Sequence, residues 1–307
     1  MTLARRALFL GGLFAAPGLA AMLIADGRPP SRPWVVAHRG ASAYAPENTV
    51  PAFLLAAEQG ATFVEFDIQR TTDGALVLLH DTTLERTTDV EEVFPDRGRR
   101  VQVKGEWRTQ WSLADFTLAE VRRLDAGRWF DARFAGTRVP TFAETIAAVK
   151  GRTGLFIELK APELYPGIEA EILAALKTAG LDRPWSDPKT PVLLQSFTVD
   201  SLRTLASLKT PLPIHLLFGP AEAARWTSEA GLAEARTFVT GLSPDKAVVA
   251  ADPGLVARAH ARDMPVTPYT FRASKAPGAV DVREEMRAAL AGGIDGVITD
   301  NPDRVPR

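Results

Sequence analysis

WVVAHRGASAYAPENTVPAFLLAAEQGATFVEFD, residues 34–67, reads as strand, loop, helix and strand, and it decides the architecture of the chain. The runs WVVAH (34–38) and FVEFD (63–67) are short, apolar and not strictly alternating, the pattern of strands buried on both faces. Between them, TVPAFLLAAEQG has helical spacing and ends on Gly60, a residue that commonly stops a helix. Six more runs continue the rhythm: LFIEL (155–159), VLLQS (192–196), IHLLF (214–218), FVTGL (238–242), VTPYT (266–270) and GVITD (296–300). Helical segments such as EAEILAALKTAG, DSLRTLASLK and VREEMRAALAGG lie between them. Eight such units over about 270 residues predict an α/β fold, a closed (β/α)8 TIM barrel. An open doubly wound sheet built to bind a nucleotide would want a Gly-rich phosphate loop after its first strand, and none is there.

One segment breaks the rhythm. EFDIQRTTDGALVLLHD (65–81) contains Asp73-Gly74, a pair favoured in two-residue hairpin turns. A turn centred there pairs Glu65 with Thr82 and Asp67 with His80, directly opposed and on one face. From about 81 to 140 the chain is polar, aromatic-studded and longer than a structural loop needs, which predicts a small inserted subdomain after the second strand.

The 307 residues carry 36 basic and 37 acidic side chains, so no global field draws the chain to nucleic acid, and an anionic ligand must be held by a local site. The absence of cysteine excludes disulfide frameworks, thiolate metal sites and a cysteine nucleophile. Residues 1–29 carry Arg5 and Arg6 ahead of an apolar run and a Pro-rich exit, an export signal of twin-arginine appearance that directs the chain to the periplasm or medium. Uncleaved, its roughly 19 apolar residues could just span a bilayer as an anchor, the chain's sole expected membrane contact. The domain proper is then 30–307.

In a parallel barrel the chemistry gathers at the carboxyl ends of the strands. There stand His38-Arg39-Gly40, Glu65 and Asp67, His80-Asp81, Glu158 and Lys160, Gln195-Ser196, and Tyr269. Glu65 and Asp67 are two apart on a strand and share a side, as do Glu158 and Lys160. Three carboxylates around one point repel unless a divalent cation or a proton is shared, and oxygen ligands select Ca²⁺, Mg²⁺ or Mn²⁺. Arg39 as a fork and Lys160 as a point charge suit a phosphate; with a metal and two imidazoles they make a phosphate-ester cleaving site. Arg39 could instead pair with Glu65 or Glu158, and Lys160 with Glu158, as buried ion pairs. Other residues take structural readings: His215 and His260 hydrogen-bonded, Glu47 and Asn48 at a helix start, Trp107, Trp111 and Trp129 in a core, and Asp300 and Asn301 capping the last turn outside the site.

AHRGASAYAPENT, VEFDIQRTTDGALVLLHD, FIELK, LLQSF, PVTPYTFR and GIDGVITDNPD together resemble the glycerophosphodiester phosphodiesterases over residues 34 to 305, and HDTTLERTTDVEEVFPDRGR is similar to the periplasmic, calcium-using type. The resemblance implies a barrel with a small inserted subdomain, His38 and His80 as catalytic pair, and Glu65, Asp67 and Glu158 as ligands of a divalent metal, Ca²⁺ favoured over Mg²⁺. It places Arg39 and Lys160 on the phosphate and, with Gln195, puts Tyr269 on the substrate. Thr267 stands where such relatives often have histidine. The implied reaction converts glycerophosphodiesters to glycerol 3-phosphate and an alcohol, with the histidines as general acid and base in unassigned order, and water or the neighbouring glycerol hydroxyl as nucleophile. Rivals are a lysophospholipase D with an apolar groove of Phe134, Phe218 and Phe271, and an exported protein that binds a phosphate ester without cleaving it.

Overall fold

The computed structural model describes residues 33–276 and 278–306. The export or anchor segment expected at residues 1–29 lies outside the described residues, and among the described residues no helix is long and apolar enough to cross a membrane.

The strands are β1 (Trp34–Ala37), β2 (Phe63–Arg70), β3 (Leu76–Leu78), β4 (Arg99–Val103), β5 (Glu106–Gln110), β6 (Gly154–Leu159), β7 (Val192–Ser196), β8 (Ile214–Phe218), β9 (Gly241–Pro244) and β10 (Gly296–Thr299). Seven pair in parallel in the order β10, β1, β2, β6, β7, β8, β9. Residues 266–271 close the ring. On one side Thr267 N donates to Leu242 O and Tyr269 N to Pro244 O; on the other Ile298 N donates to Pro268 O and Phe271 N to Ile298 O. The result is the expected (β/α)8 barrel, with two local corrections. VTPYT is not a regular strand, because Pro265 and Pro268 have no N–H to give to a ladder. FVTGL pairs only from Gly241, because the amides of Phe238 and Val239 still bond to Ala235 O as the chain leaves the helix Glu229–Ala235.

Helices Val50–Glu58, Ile168–Thr178, Val199–Ser207 and Val282–Ala291 form where the spacing predicts them. Their apolar faces cover the outward residues of the strands, among them Val64, Phe66, Ile157 and Leu194. The barrel interior is filled separately by Val36, Phe63, Phe156, Leu193 and Ile298, with Trp34 against them. Each large side chain buried this way contributes roughly 1.5–3 kcal/mol. That apolar plug forms a floor, and the polar residues two positions further along the same strands stand above it.

The hairpin after β2 forms with a different register. Thr71 N donates to Ala75 O and Gly74 N to Thr71 O, so three residues, not two, make the loop. Ile68 therefore faces Leu78, and Asp67 O accepts from Leu79 N, where the sequence placed His80 opposite Asp67. A one-residue slip swaps faces, and His80 lies beyond the end of β3 in the following loop. The inserted subdomain leaves from here and returns where Leu78 N donates to Pro140 O. It has a core of its own, with Val77, Leu79, Leu84, Val90, Trp111, Leu113, Phe116, Val121 and Leu124 buried together, and the antiparallel pair β4 and β5. Trp111 belongs to that core and its Nε1 donates to Phe94 O, whereas Trp107 and Trp129, expected in a core, are exposed.

Candidate active site

Register brings the carboxylates together. Asp67 on β2 pairs with Glu158 on β6, which pairs with Gln195 on β7, and Glu65 is two residues below Asp67 on the same face. All four are buried. One oxygen from each of Glu65, Asp67 and Glu158 lies within 4.8 Å of the others.

The loop after β1 delivers the cations' side of the site. Arg39 (φ 54°) and Gly40 (φ 83°) are both left-handed, and a Cβ on Gly40 would come within 2.7 Å of Ala52, so glycine is required for the helix Val50–Glu58 to pack here. This tight turn points the Arg39 amide at Glu65, donating to Oε2 at 2.8 Å. The Arg39 side chain pairs with neither Glu65 nor Glu158; its Nη1 reaches Glu47 at 2.8 Å and its Nε lies 3.6 Å from Asp67 Oδ2 without a hydrogen bond. Asn48, also left-handed, braces Asp67 by donating from Nδ2 to Oδ2 at 2.8 Å and accepting the Asp67 amide. Lys160 Nζ donates to Glu158 Oε1 at 2.8 Å and lies 3.5 Å from Asp67 Oδ1. Glu47 and Asn48, read in sequence as helix-start residues, instead contact Arg39 and Asp67, and the helix begins at Val50 behind Thr49.

These neighbours separate the carboxyls electrostatically. Burial would raise the Asp67 pKa, but Lys160, Arg39 and His80 hold it far below the ordinary value. Burial pushes the Glu65 carboxyl well up, and the Asp67 and Glu158 charges push it further. Burial and the Asp67 charge raise Glu158 to about 7, against the pull of Lys160. Asp67 Oδ1 has no hydrogen-bond partner among the described residues although it is buried. An orphaned oxygen and two strained carboxyls around one point fit a hard divalent cation, so the donor set is suited to the metal the sequence predicts.

The two histidines are held alike. His38 Nδ1 and Asp300 Oδ1 are 2.6 Å apart, as are His80 Nδ1 and Asp81 Oδ1. Each imidazole is thereby oriented through Nδ1, and its Nε2 is not used in that pairing. Burial lowers the His38 pKa below 6.5, opposed by the Asp300 hydrogen bond. Asp300, assigned in sequence to a cap outside the site, is therefore part of it. The signal was present: Asp300 follows β10 as His38 follows β1, and the two strands pair.

A cavity of about 200 Å³ is lined by His38, Arg39, Glu65, His80, Glu158, Lys160, Gln195 and Tyr269. All the predicted site residues except Asp67, which lies beneath it, thus meet at one mouth. Phe197, Leu217, Thr270, Arg272 and Ile298 complete the lining and were not foreseen there; Phe197 packs edge-on against Tyr269 at 5.6 Å. A larger cavity, about 560 Å³, lies elsewhere between Gln59, Arg283, Arg287 and Asp303 and contains none of these groups. Chemistry rather than size marks the site. Phe218 and Phe271 are buried in the core and cannot line a lipid groove. His215 is core too, its pKa pushed down to about 3 by burial, and His260 pairs with Asp295.

Residues 38–304 match the sequence profile of the Glycerophosphoryl diester phosphodiesterase family. The chain belongs to that family. It is 32% identical over 282 residues to the glycerophosphodiester phosphodiesterase of Bacillus subtilis (strain 168), covering 89% of this chain and 85% of that one. It is 33% identical to the enzyme of that name from Caldanaerobacter subterraneus subsp. tengcongensis, covering 88% of this chain and 94% of the other. Among solved structures, an Oleispira antarctica phosphodiesterase in complex with the product sn-glycerol-3-phosphate superposes with a TM-score of 0.69 at 26% identity, over 89% of this chain and 95% of that one. The family thus named is the one the sequence motifs resemble.

Proposed function

We propose that this chain hydrolyses glycerophosphodiesters to glycerol 3-phosphate and an alcohol. The observation that carries the reading is the meeting of two carboxylate-held imidazoles with an acidic triad and two cations in one small cavity. Glu65, Asp67 and Glu158 would hold a divalent metal, which when bound neutralises charge on a phosphoryl oxygen. Ca²⁺ is favoured over Mg²⁺ by the likeness of the insertion to calcium-using relatives. Arg39 and Lys160 line the cavity and would set two positive charges against the phosphoryl oxygens. His38 and His80, through Nε2, take the nucleophile's proton and return one to the leaving alcohol. Gln195 and Tyr269 line the pocket, and the Tyr269 hydroxyl, its pKa raised by burial, stays protonated as a donor. Residues 1–29 are proposed to export the chain.

The test is release of glycerol 3-phosphate from glycerophosphocholine by chelator-treated protein, alone and with Ca²⁺ or Mg²⁺ restored separately. Metal-restored turnover is expected. His38→Ala and His80→Ala should each lower kcat by about 10²- to 10⁴-fold while leaving the circular dichroism spectrum unchanged. Absence of turnover with either ion would overturn the substrate assignment, and full activity in either variant the role of that histidine.

A further inference from the structure

Beyond the triad and the histidines, Arg86 and Glu47 join both halves of the site without lining the cavity. Arg86, from the start of the insertion, donates from Nε to Asp81 Oδ2 at 2.5 Å and from Nη2 to Asp81 Oδ1 at 3.1 Å. It also donates from Nη1 and Nη2 to the two oxygens of Glu47, at 2.8 and 2.7 Å. Asp81 is the carboxylate on His80 Nδ1, and Glu47 Oε1 also accepts from Arg39 Nη1. The contacts therefore form one line, His80, Asp81, Arg86, Glu47, Arg39 and Asp67, in which guanidinium and carboxylate alternate beyond the imidazole. Only a guanidinium, with five donors in a rigid fork, can grip two carboxylates bidentately at once. Burial would raise the Glu47 carboxyl, but Arg86 and Arg39 hold it below its ordinary value, so it stays an ionised acceptor between them.

We infer that Arg86 and Glu47 are positioning residues, a strap by which the insertion aims His80 and Arg39 at the same phosphate. The inference rests on the proposed phosphodiesterase reading. It follows from where the two ends lie. Arg86 and Glu47 are 39 apart in sequence, and their contact joins the insertion to the first barrel loop along a line that reaches a cavity-lining residue on each side, His80 and Arg39. Arg39 needs the link in particular. With Nη1 tied to Glu47, its buried Nε is held 3.6 Å from Asp67 Oδ2 without a hydrogen bond, and the guanidinium stays at the wall of the cavity.

The experiment uses the full chain with Arg86→Gln, Arg86→Lys and Glu47→Gln, and Arg203→Gln as control, since Arg203 pairs with Glu234 on the outer helices. Three readouts are taken: kcat and KM on glycerophosphocholine with metal supplied, inhibition by glycerol 3-phosphate, and the imidazole Nδ1–H resonances. With four histidines in the chain, the last are assignable by substitution. Removing a group that orients a functional side chain typically costs about 10- to 100-fold in activity, so kcat/KM should fall by that factor in both Arg86 variants, lysine failing to rescue because it cannot fork. Glycerol 3-phosphate inhibition should weaken in Glu47→Gln and Arg86→Gln. The downfield Nδ1–H signal of His80 should broaden or move in the Arg86 variants only, with that of His38 unchanged in all. The control should match wild type. A strap that merely holds the fold would lower stability while leaving kcat/KM and inhibition within about twofold and the His80 resonance in place in folded protein, and that result overturns the inference. Should Arg86→Gln fail to fold, Arg86→Lys decides by the same measures. The resonance readout needs no turnover, so a wrong substrate and a wrong strap are separable outcomes.

Discussion

Glu158→Gln should make the protein more stable without metal and remove most of the stabilisation that metal gives it. A carboxyl that titrates near 7 in the fold and at 4.5 when unperturbed binds its proton more tightly in the native state. Its folded pKa is raised, so wild-type stability falls as pH rises from about 4.5 toward about 7, and at pH 8 ionising Glu158 costs the folded state about 3 kcal/mol. Glutamine is isosteric, keeps an Oε1 acceptor for Lys160 and carries no charge to repel Asp67 and Glu65. In chelator at pH 8 the variant should therefore gain up to about 3 kcal/mol, a rise in thermal midpoint of roughly 6 °C for a chain of this size. At pH 5, where wild-type Glu158 is protonated when folded, the gain should shrink toward zero. Saturating Ca²⁺ at a hundred times its dissociation constant stabilises a binding protein by about 2.7 kcal/mol, a gain wild type should show and the variant largely lose. The assay is equilibrium urea unfolding in chelator and in Ca²⁺, at pH 5 and pH 8. If the variant is less stable than wild type in chelator at pH 8, the three carboxylates are not mutually strained, and the electrostatic case for a metal at this point fails.

Asp300→Asn removes the charge behind His38 Nδ1 while preserving shape; kcat should fall about 10- to 100-fold with an unchanged thermal midpoint, and full activity would remove Asp300 from the site. Thr267→Val discards a buried hydroxyl that has no hydrogen-bond partner among the described residues, and urea unfolding should show a gain of about 1 kcal/mol; a comparable loss would reveal a partner for that hydroxyl. Phe116→Ala empties the centre of the insertion's own core and should cost about 3–5 kcal/mol, read in the same assay.

What the sequence determined by itself was everything local. The two-residue spacing of Glu65 and Asp67 on a strand, and of Glu158 and Lys160 at the end of the next, follows from the period of the backbone and needs no knowledge of the rest of the chain. The repeated strand and helix rhythm likewise sufficed for the barrel, since strands buried on both faces and covered by helices have few other ways to lie. Tertiary structure decided what depends on pairing. The hairpin register turned on whether two or three residues made the loop around Asp73, a difference of backbone dihedrals that the Asp-Gly pair does not specify. Asp300 stands 262 residues from His38 and reaches it only because β10 closes beside β1. Arg86, in a stretch whose sequence shows no period, meets Glu47 through the path of the insertion. Periodicity is carried by each segment alone, whereas contact between distant residues exists only once the barrel has closed and fixed which strand ends are neighbours.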